Sequence, residues 1–238
     1  RYFTLMLDNP DTEYLGLRGL IVDANRHGDA TEALKLARRA QEVSPNAPWL
    51  LSTVFELETR EGLWQDAQKT LERSRRKRLV TPDDARRRKA LVMFQRAREE
   101  TVAGDDEAAL DCALRASGFA HDFVPAAALA ARLVAPSRPR KAARIVERTW
   151  RTAPHPDLAA AYAEIYADDL PARRAKRFIR LSGMNLSHPE SRLAVAAQAL
   201  EAGLWGVAWN NLRPLVEDGD RVAPGARACR LMARYERE

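Results

Sequence analysis

The chain has 238 residues, a formal net charge of +6, 46% hydrophobic residues and 30% charged residues, a composition typical of a folded domain that excludes intrinsic disorder. No stretch approaches the roughly 18 uninterrupted apolar residues of a membrane-spanning helix, and the N-terminal apolar run is too short for a signal peptide. Because the chain does not begin with Met, we expect it to be part of a longer protein.

Six alanines recur along the chain at spacings of 34, 42, 33, 33 and 33 residues. They are Ala33, Ala67, Ala109, Ala142, Ala175 and Ala208. A glycine or another loop-compatible residue stands five positions before each, and two copies are nearly identical, GLWQDA at 62–67 and GLWGVA at 203–208. A period of 33–34 residues with a turn glycine and a small residue predicts helix–turn–helix repeats. We call these six residues the alanine ladder.

The first repeat shows the elements in their simplest form. Leu17 and Ile21 predict the inward face of a first helix, and Gly28 predicts the turn after it. The second helix begins with the capping-box pattern of Asp29 and Glu32. Prolines at the unit boundaries also indicate helix starts, because proline at the first helical position costs no intrahelical hydrogen bond. They are Pro10, Pro48, Pro82, Pro156 and Pro189.

The 42-residue step adds about eight residues to the repeat period, and they fall within residues 73–89, here called the basic segment. This segment holds nine basic and two acidic residues, whereas the rest of the chain is close to neutral. We predict an elongated helix pair or a longer connector there. The basic patch that we predict on it consists of Arg75, Arg76, Lys77, Arg78, Arg86, Arg87, Arg88 and Lys89.

These patterns predict an all-α fold, and the repeats match the tetratricopeptide type. The first unit carries the matching residues Leu17, Gly28, Ala33, Ala37, Ala40 and Pro45. We predict a tetratricopeptide-repeat α-solenoid, a right-handed superhelix of about six helix pairs, within a single domain 1–238. The units are predicted at 14–47, 48–81, 90–122, 123–155, 156–188 and 189–221, and a capping helix at 222–238.

Four runs carry a closer resemblance. They are residues 7–51, DDARRRKALV, TAPHPDLAAAYA and HPESRLAVAAQALEAGLWGVA. Together they resemble the HemY-type tetratricopeptide proteins of bacterial haem biosynthesis. The resemblance implies an upstream membrane anchor, a place at the cytoplasmic face of the inner membrane, and a role beside late haem-biosynthesis enzymes. An unrelated flavin-dependent oxidase shares the HemY name, but the chain has no G-x-G-x-x-G motif and its activity is not transferred.

In such a superhelix the first helices of the pairs line a concave groove that can hold a peptide. The groove residues we predict are Arg18, Asn25, Arg26, Trp49, Ser52, Glu56, Arg60, Phe94 and Arg98. Arginines there suit acidic groups of a partner, and Trp49 or Phe94 suits apolar ones. The alternative is that all nine are ordinary solvated or packing residues. Val22 and Glu56 replace the Lys/Asn pattern of carboxylate clamps, which disfavours chaperone docking.

The basic patch has several interpretations: an anionic membrane surface, nucleic acid, an acidic protein, or a solvated helix face. Residues 73–89 contain no aromatic side chain for base stacking, which disfavours nucleic acid.

The sequence carries no signature of catalysis or of metal binding. It contains no P-loop, G-x-S-x-G or H-E-x-x-H motif, and its four histidines lack metal-ligand spacing. Two isolated cysteines fit a reducing compartment. Trp64 and Trp205 are predicted to pack in the core. We therefore predict no catalytic residue, no metal and no cofactor.

The function predicted is a non-catalytic protein–protein interaction scaffold, on the resemblance one that organises late haem-biosynthesis enzymes. The alternatives are a porphyrin- or haem-binding carrier and an RNA-binding helical-repeat protein.

Overall fold

The computed structural model describes residues 2–45, 47–216 and 225–237, and within these ranges every regular element is helical. A short N-terminal helix, α1 (Tyr2–Leu5), leads through a 3-10 turn (Met6–Asp8) into the following helices. They are α2 (Pro10–Arg26), α3 (Ala30–Val43), α4 (Pro48–Arg60), α5 (Trp64–Arg76), α6 (Pro82–Ala103), α7 (Asp106–Phe119), α8 (Val124–Val134), α9 (Pro139–Trp150), α10 (Pro156–Ile165), α11 (Pro171–Ser182), α12 (Pro189–Glu201), α13 (Trp205–Val216) and α14 (Ala226–Tyr235). The predicted all-α class is confirmed.

The described part of the chain forms two compact units, Arg1–Val102 and Ala103–Glu238, here called unit 1 and unit 2. Unit 1 contains α1–α5 and nearly all of α6, and unit 2 contains α7–α14. The repeat bounds, the single domain and the right-handed superhelix stay predictions. The predicted boundary between the sixth repeat and the cap, at 221 and 222, lies outside the described residues.

The alanine ladder is buried as predicted. All six alanines are fully excluded from solvent. Gly28 and Gly203 adopt positive φ angles of 79° and 65°, which a residue with a Cβ rarely adopts. Helices joined by such turns pack against each other, as α2 does against α3 and α12 against α13. A methyl group at each ladder position therefore allows close approach of neighbouring helices.

Helix starts lie where the prolines predict them. Pro10, Pro156 and Pro189 are each the first residue of a helix. The residue before each proline caps that helix: Asn9 accepts a hydrogen bond from the Asp11 amide, and the histidines before Pro156 and Pro189 do the same for amides two residues on. These caps satisfy helix amides that would otherwise lack a partner.

At the irregular 42-residue step one helix, α6, is elongated, whereas the sequence predicted an elongated helix pair or a longer connector. Among the described residues α6 is the longest helix, with 22 residues, whereas α4 and α5 have 13 each. The basic segment therefore covers the end of α5, the connector and the first two turns of α6.

Unit 2 is built around three fully buried aromatic side chains, Trp150, Tyr162 and Phe178. The Trp150 indole donates to Ser191 Oγ at 3.1 Å, and the Tyr162 and Phe178 rings meet edge to face with centroids 5.4 Å apart. At the end of the unit α14 packs on α12 and α13. This agrees with the predicted capping helix.

The predicted core positions of Trp64 and Trp205 are wrong. Trp205 is 39% exposed and Trp64 is half-buried. Each is the first residue of its helix, so its ring reaches toward the following helix rather than into the core. Trp64 Nε1 donates to Glu99 Oε1 at 2.7 Å, and the Trp205 ring meets Tyr235 edge to face.

Candidate protein-binding surfaces of unit 1

The structure joins predicted groove residues of α2 to those of α4 at two points. The Arg18 guanidinium carbon lies 4.9 Å from the centroid of the Trp49 ring, within cation–π distance. Arg60 donates to Asn25 Oδ1 at 3.3 Å. We call the surface around these two contacts the α2–α4 face.

Apolar side chains are exposed on the same face. Leu15 is 52% exposed and Val22 is 38% exposed, and with Arg18 between them they follow one line on α2. Phe3 of α1 packs on Gly19, next to Leu15 on α2, where a Cβ atom would lie 2.3 Å from the Phe3 ring. The face therefore offers an apolar strip with cationic neighbours.

Sequence reasoning missed Leu15 as a surface residue. The signal was present in the helical spacing, because the core stripe of α2 runs through Leu17 and Ile21 and leaves Leu15 on another side.

The remaining predicted groove residues are more scattered. Arg26 and Glu56 are exposed, and Ser52 is half-buried on α4. On α6, Phe94 is half-buried and Arg98 donates to Gln95 of its own helix at 3.4 Å. Whether these nine residues bind a partner stays a prediction.

The basic patch is not a continuous stripe of free charges. Glu72 accepts hydrogen bonds from Lys89 at 2.9 Å and from Arg75 at 3.1 Å. The bond from Lys89 is the main reason that the pKa of Glu72 lies below its ordinary value. Arg86 pairs with Asp83, and the Arg88 guanidinium carbon lies 5.1 Å from the centroid of the Phe55 ring. Much of the patch is thus neutralised or packed locally.

Between α3, α5 and α6 lies a cleft of about 920 Å³, here called the basic cleft. Its cations are Lys69, Arg73, Arg76, Lys77 and Arg96. Three glutamines, Gln41, Gln65 and Gln68, also line it, with Thr70 and Glu72. Only Arg76 and Lys77 of the predicted basic patch belong to this lining, so the cleft is a different grouping from the one that the sequence suggested.

The histidines interact with helix ends. His27 Nδ1 lies 2.9 Å from the Asp23 carbonyl and His121 Nδ1 lies 3.2 Å from the Ser117 carbonyl, while His155 and His188 are caps. In the described ranges no group of three His, Cys, Asp or Glu side chains is arranged to hold a metal ion.

Asp169, in the turn before α11, belongs to an ion-pair cluster. Asp169 accepts from Arg177 Nε at 2.5 Å, and this bond lowers the pKa of the carboxyl. The Arg177 guanidinium carbon lies 3.7 Å from the centroid of the Tyr166 ring. These contacts hold α11 to the turn before it.

None of the helices that the structure describes is both long and apolar enough to cross a membrane.

No family model and no curated protein matches the chain. Among solved structures it is similar to a tetratricopeptide repeat protein from Parabacteroides merdae, with 14% identity over 94% of this chain and 85% of that chain, at a TM-score of 0.46. It is also similar to pilF of Pseudomonas aeruginosa, with 15% identity over 94% of this chain and 98% of that chain, at a TM-score of 0.41. A third similar structure is TTC0263, a TPR protein of Thermus thermophilus, with 18% identity over 79% of this chain and 99% of that chain, at a TM-score of 0.34.

These values assign neither a family nor a partner, and the HemY-type resemblance stays a prediction. The fold is shown by the chain itself: paired helices, left-handed turn glycines and a fully buried alanine ladder constitute a tetratricopeptide-type helical-repeat fold.

Proposed function

We propose that this chain is a non-catalytic scaffold that binds a segment of a partner protein on the α2–α4 face. The observation that carries the proposal is the exposed apolar strip of Leu15 and Val22 beside the Arg18–Trp49 contact. Exposed apolar residues rimmed by polar ones are typical of protein-binding surfaces. Trp and Arg are the residue types most enriched among energetically dominant contacts.

The chemistry of the face suggests the partner segment. Arg18, Arg26 and Arg60 are exposed along it and favour carboxylates, whereas Leu15 and Val22 favour apolar side chains. A segment that carries both apolar and acidic residues would satisfy the two sets at once. On the sequence resemblance, we propose that the partners are late haem-biosynthesis enzymes at the cytoplasmic side of the bacterial inner membrane.

Site-specific photocrosslinking tests the face directly. A photoreactive amino acid replaces Leu15 in one variant and Leu186 of unit 2, which is even more exposed to solvent, in the control. With purified late haem-biosynthesis enzymes as partners, we expect crosslinks from the Leu15 position and none from the control position. Crosslinks from Leu186 alone would overturn the proposal for this face.

A charge variant separates specific binding from background. Leu15→Glu with Val22→Glu should lower affinity for a bound enzyme by about tenfold or more, because it removes apolar contact at the centre of the face. Circular dichroism should show unchanged helicity because both side chains are exposed. Equal affinity in wild type and variant would contradict the proposal.

Haemin separates the scaffold from the carrier alternative. For a scaffold we expect no stoichiometric Soret shift when haemin is added to the purified chain. A one-to-one shift that is lost on replacing a single histidine would instead support the carrier.

A further inference from the structure

We propose that the basic cleft is a second docking site, distinct from the α2–α4 face, and that it takes an extended acidic peptide segment of a partner protein. This proposal does not depend on the α2–α4 face, because the cleft is lined by α3, α5 and α6 residues.

Uncompensated positive charge is the first argument. Arg73, Arg76 and Lys77 form no ion pair in the part of the chain that the structure describes. Lys69 is paired with Asp66 at 3.0 Å. The lining carboxylate, Glu72, is already engaged by Lys89 and Arg75, which lie outside the lining. The three unpaired cations repel one another, and an anionic ligand would relieve that repulsion.

Spacing is the second argument. Lys69, Arg73 and Arg76 stand at i, i+4 and i+7 on α5, so they follow one side of the helix over about 10 Å. Lys69 and Arg73 are separated by about 6 Å along the axis at 1.5 Å per residue. In an extended peptide, alternate side chains on one side recur about every 6.6 Å. Acidic residues at alternate positions therefore match the spacing of Lys69 and Arg73, whereas Arg76 lies only about 4.5 Å beyond Arg73 along the axis.

The glutamines favour a peptide over a simple anion. Gln41, Gln65 and Gln68 each carry a donor and an acceptor, which is what the backbone of an extended chain can pair with. Gln68 already accepts from Arg96 at 3.1 Å, which fixes that guanidinium at the wall of the cleft. A phosphate group offers acceptors and would leave the acceptor oxygens of Gln41 and Gln65 unused.

The shape and the lining of the basic cleft disfavour a membrane surface, a nucleic acid and a porphyrin as its ligand. A concave cleft of about 920 Å³ does not lie flat on a membrane surface. Among the described residues that line it none is aromatic, so it offers neither a stacking platform for bases nor walls for a porphyrin ring.

The test uses a fluorescein-labelled peptide of about eight residues that alternates glutamate with serine, and a control peptide with glutamine in place of glutamate. Fluorescence anisotropy measures binding of both to the purified chain. We expect the glutamate peptide to bind about tenfold more tightly or better, and its affinity to fall as NaCl is raised. Equal affinity for the two peptides would overturn the proposal.

A pair of matched variants locates the site. Arg73→Gln with Arg76→Gln removes two cations from the cleft, whereas Arg140→Gln with Arg144→Gln removes two exposed cations from α9 of unit 2. The first should weaken glutamate-peptide binding by about tenfold and the second by less than about twofold. Equal loss in both would show a non-specific effect of net charge and overturn the cleft.

Competitors distinguish the other sources of negative charge. Sodium phosphate, phosphatidylcholine vesicles with phosphatidylserine, and polyuridylic acid are each compared with the glutamate peptide. Displacement of the labelled peptide by an unlabelled copy at lower concentration than by any of these supports the proposal. Tighter binding of vesicles or RNA that is lost in the Arg73→Gln/Arg76→Gln variant would assign the cleft to that ligand and overturn the acidic peptide.

A last variant separates this site from the α2–α4 face. Leu15→Glu with Val22→Glu should leave glutamate-peptide affinity within about twofold of wild type, since neither residue lines the cleft. A large loss in that variant would contradict two separate sites.

Discussion

Two nearly identical stretches of the chain, GLWQDA at 62–67 and GLWGVA at 203–208, are followed by helices that pack against different kinds of side chain. In both, the glycine has a positive φ angle and the alanine is fully buried. After the alanine the sequences diverge. The repeat thus determines the turn and the closest helix contact, whereas the residues that follow determine what the next helix can cover.

Gln68 and Trp209 occupy the same position, one residue after the ladder alanine. Trp209 stacks on Tyr235 of α14, with ring centroids 5.5 Å apart and planes inclined by 25°. Gln68 instead accepts from Arg96 of α6 and lines the basic cleft. An aromatic ring of α14 thus covers α13, whereas α5 presents polar side chains to the basic cleft.

Substitution of the buried ladder alanine, which the two stretches share, should have the largest effect on stability. Ala67→Trp and Ala208→Trp should each destabilise the protein by about 3 kcal/mol or more, because neither site has room for an indole. Denaturant unfolding monitored by circular dichroism measures this change in the free energy of unfolding.

Lys69→Trp and Asn210→Trp are the matched controls, each two residues beyond its ladder alanine and exposed. They should change the free energy of unfolding by about 0.5 kcal/mol or less. Similar losses at ladder and control positions would contradict the packing role of the alanines.

The cap at the second stretch also depends on an ion pair. Arg227 of α14 donates to Glu190 of α12, whose side chain is almost fully buried. Burial is the main influence on this carboxyl and raises its pKa, and Arg227 opposes that rise. Arg227→Ala should therefore destabilise the protein by about 2 kcal/mol at neutral pH, because it leaves a buried carboxylate unpaired.

The pH dependence of that variant follows from the direction of the shift. A raised folded-state pKa means that protonation of Glu190 favours folding, a contribution complete below the unfolded value of 4.5 and lost as the pH rises through the folded pKa. Without Arg227 the folded pKa rises further. The loss in free energy of unfolding caused by Arg227→Ala should thus be largest at pH 7 and shrink as the pH falls toward 4.5. A loss of stability that does not depend on pH would contradict this account. So would a loss equal to that caused by Arg230→Ala, since Arg230 is an exposed arginine of the same helix.

The aromatic contact of the cap should contribute less. Tyr235→Ala removes the stack on Trp209 and the edge contact with Trp205, and should cost about 1.5 kcal/mol. Because the loss is at the end of unit 2, amide hydrogen exchange should accelerate in α14 and remain unchanged in α2. Uniform acceleration in both helices would show that Tyr235 does not act locally.

Much of this fold was predictable because the residues that define each repeat recur at a regular spacing in the sequence. The ladder alanines, the turn glycines and the helix-starting prolines each act through their own backbone or the nearest helix, so a single period of the sequence reveals them. That the irregular step would add helix or connector was predictable, but the sequence did not show that one helix, α6, would take up the added length.

The positions of Trp64 and Trp205 were not predictable in the same way. Their burial depends on Glu99 and Tyr235, which lie on a following helix and do not recur with the repeat. The basic cleft was not predicted either, because it too depends on residues from different helices. Its lining combines Gln41, Arg73 and Arg96 from three helices, whereas the basic segment is a contiguous run whose charges are partly paired with Asp83 and with the preceding Glu72.

The smallest expected effect lies at these two tryptophans. Trp64→Phe keeps an aromatic ring but removes the indole donor to Glu99, a carboxylate that water can rehydrate because it is exposed. The expected loss is therefore about 1 kcal/mol or less. Trp205→Phe keeps the edge contact with Tyr235 and should lose about half as much. A double-mutant cycle of Trp64→Phe with Glu99→Ala, which removes the acceptor, measures the hydrogen bond by itself, and a coupling of zero would mean that Trp64, like Trp205, contributes only through its ring.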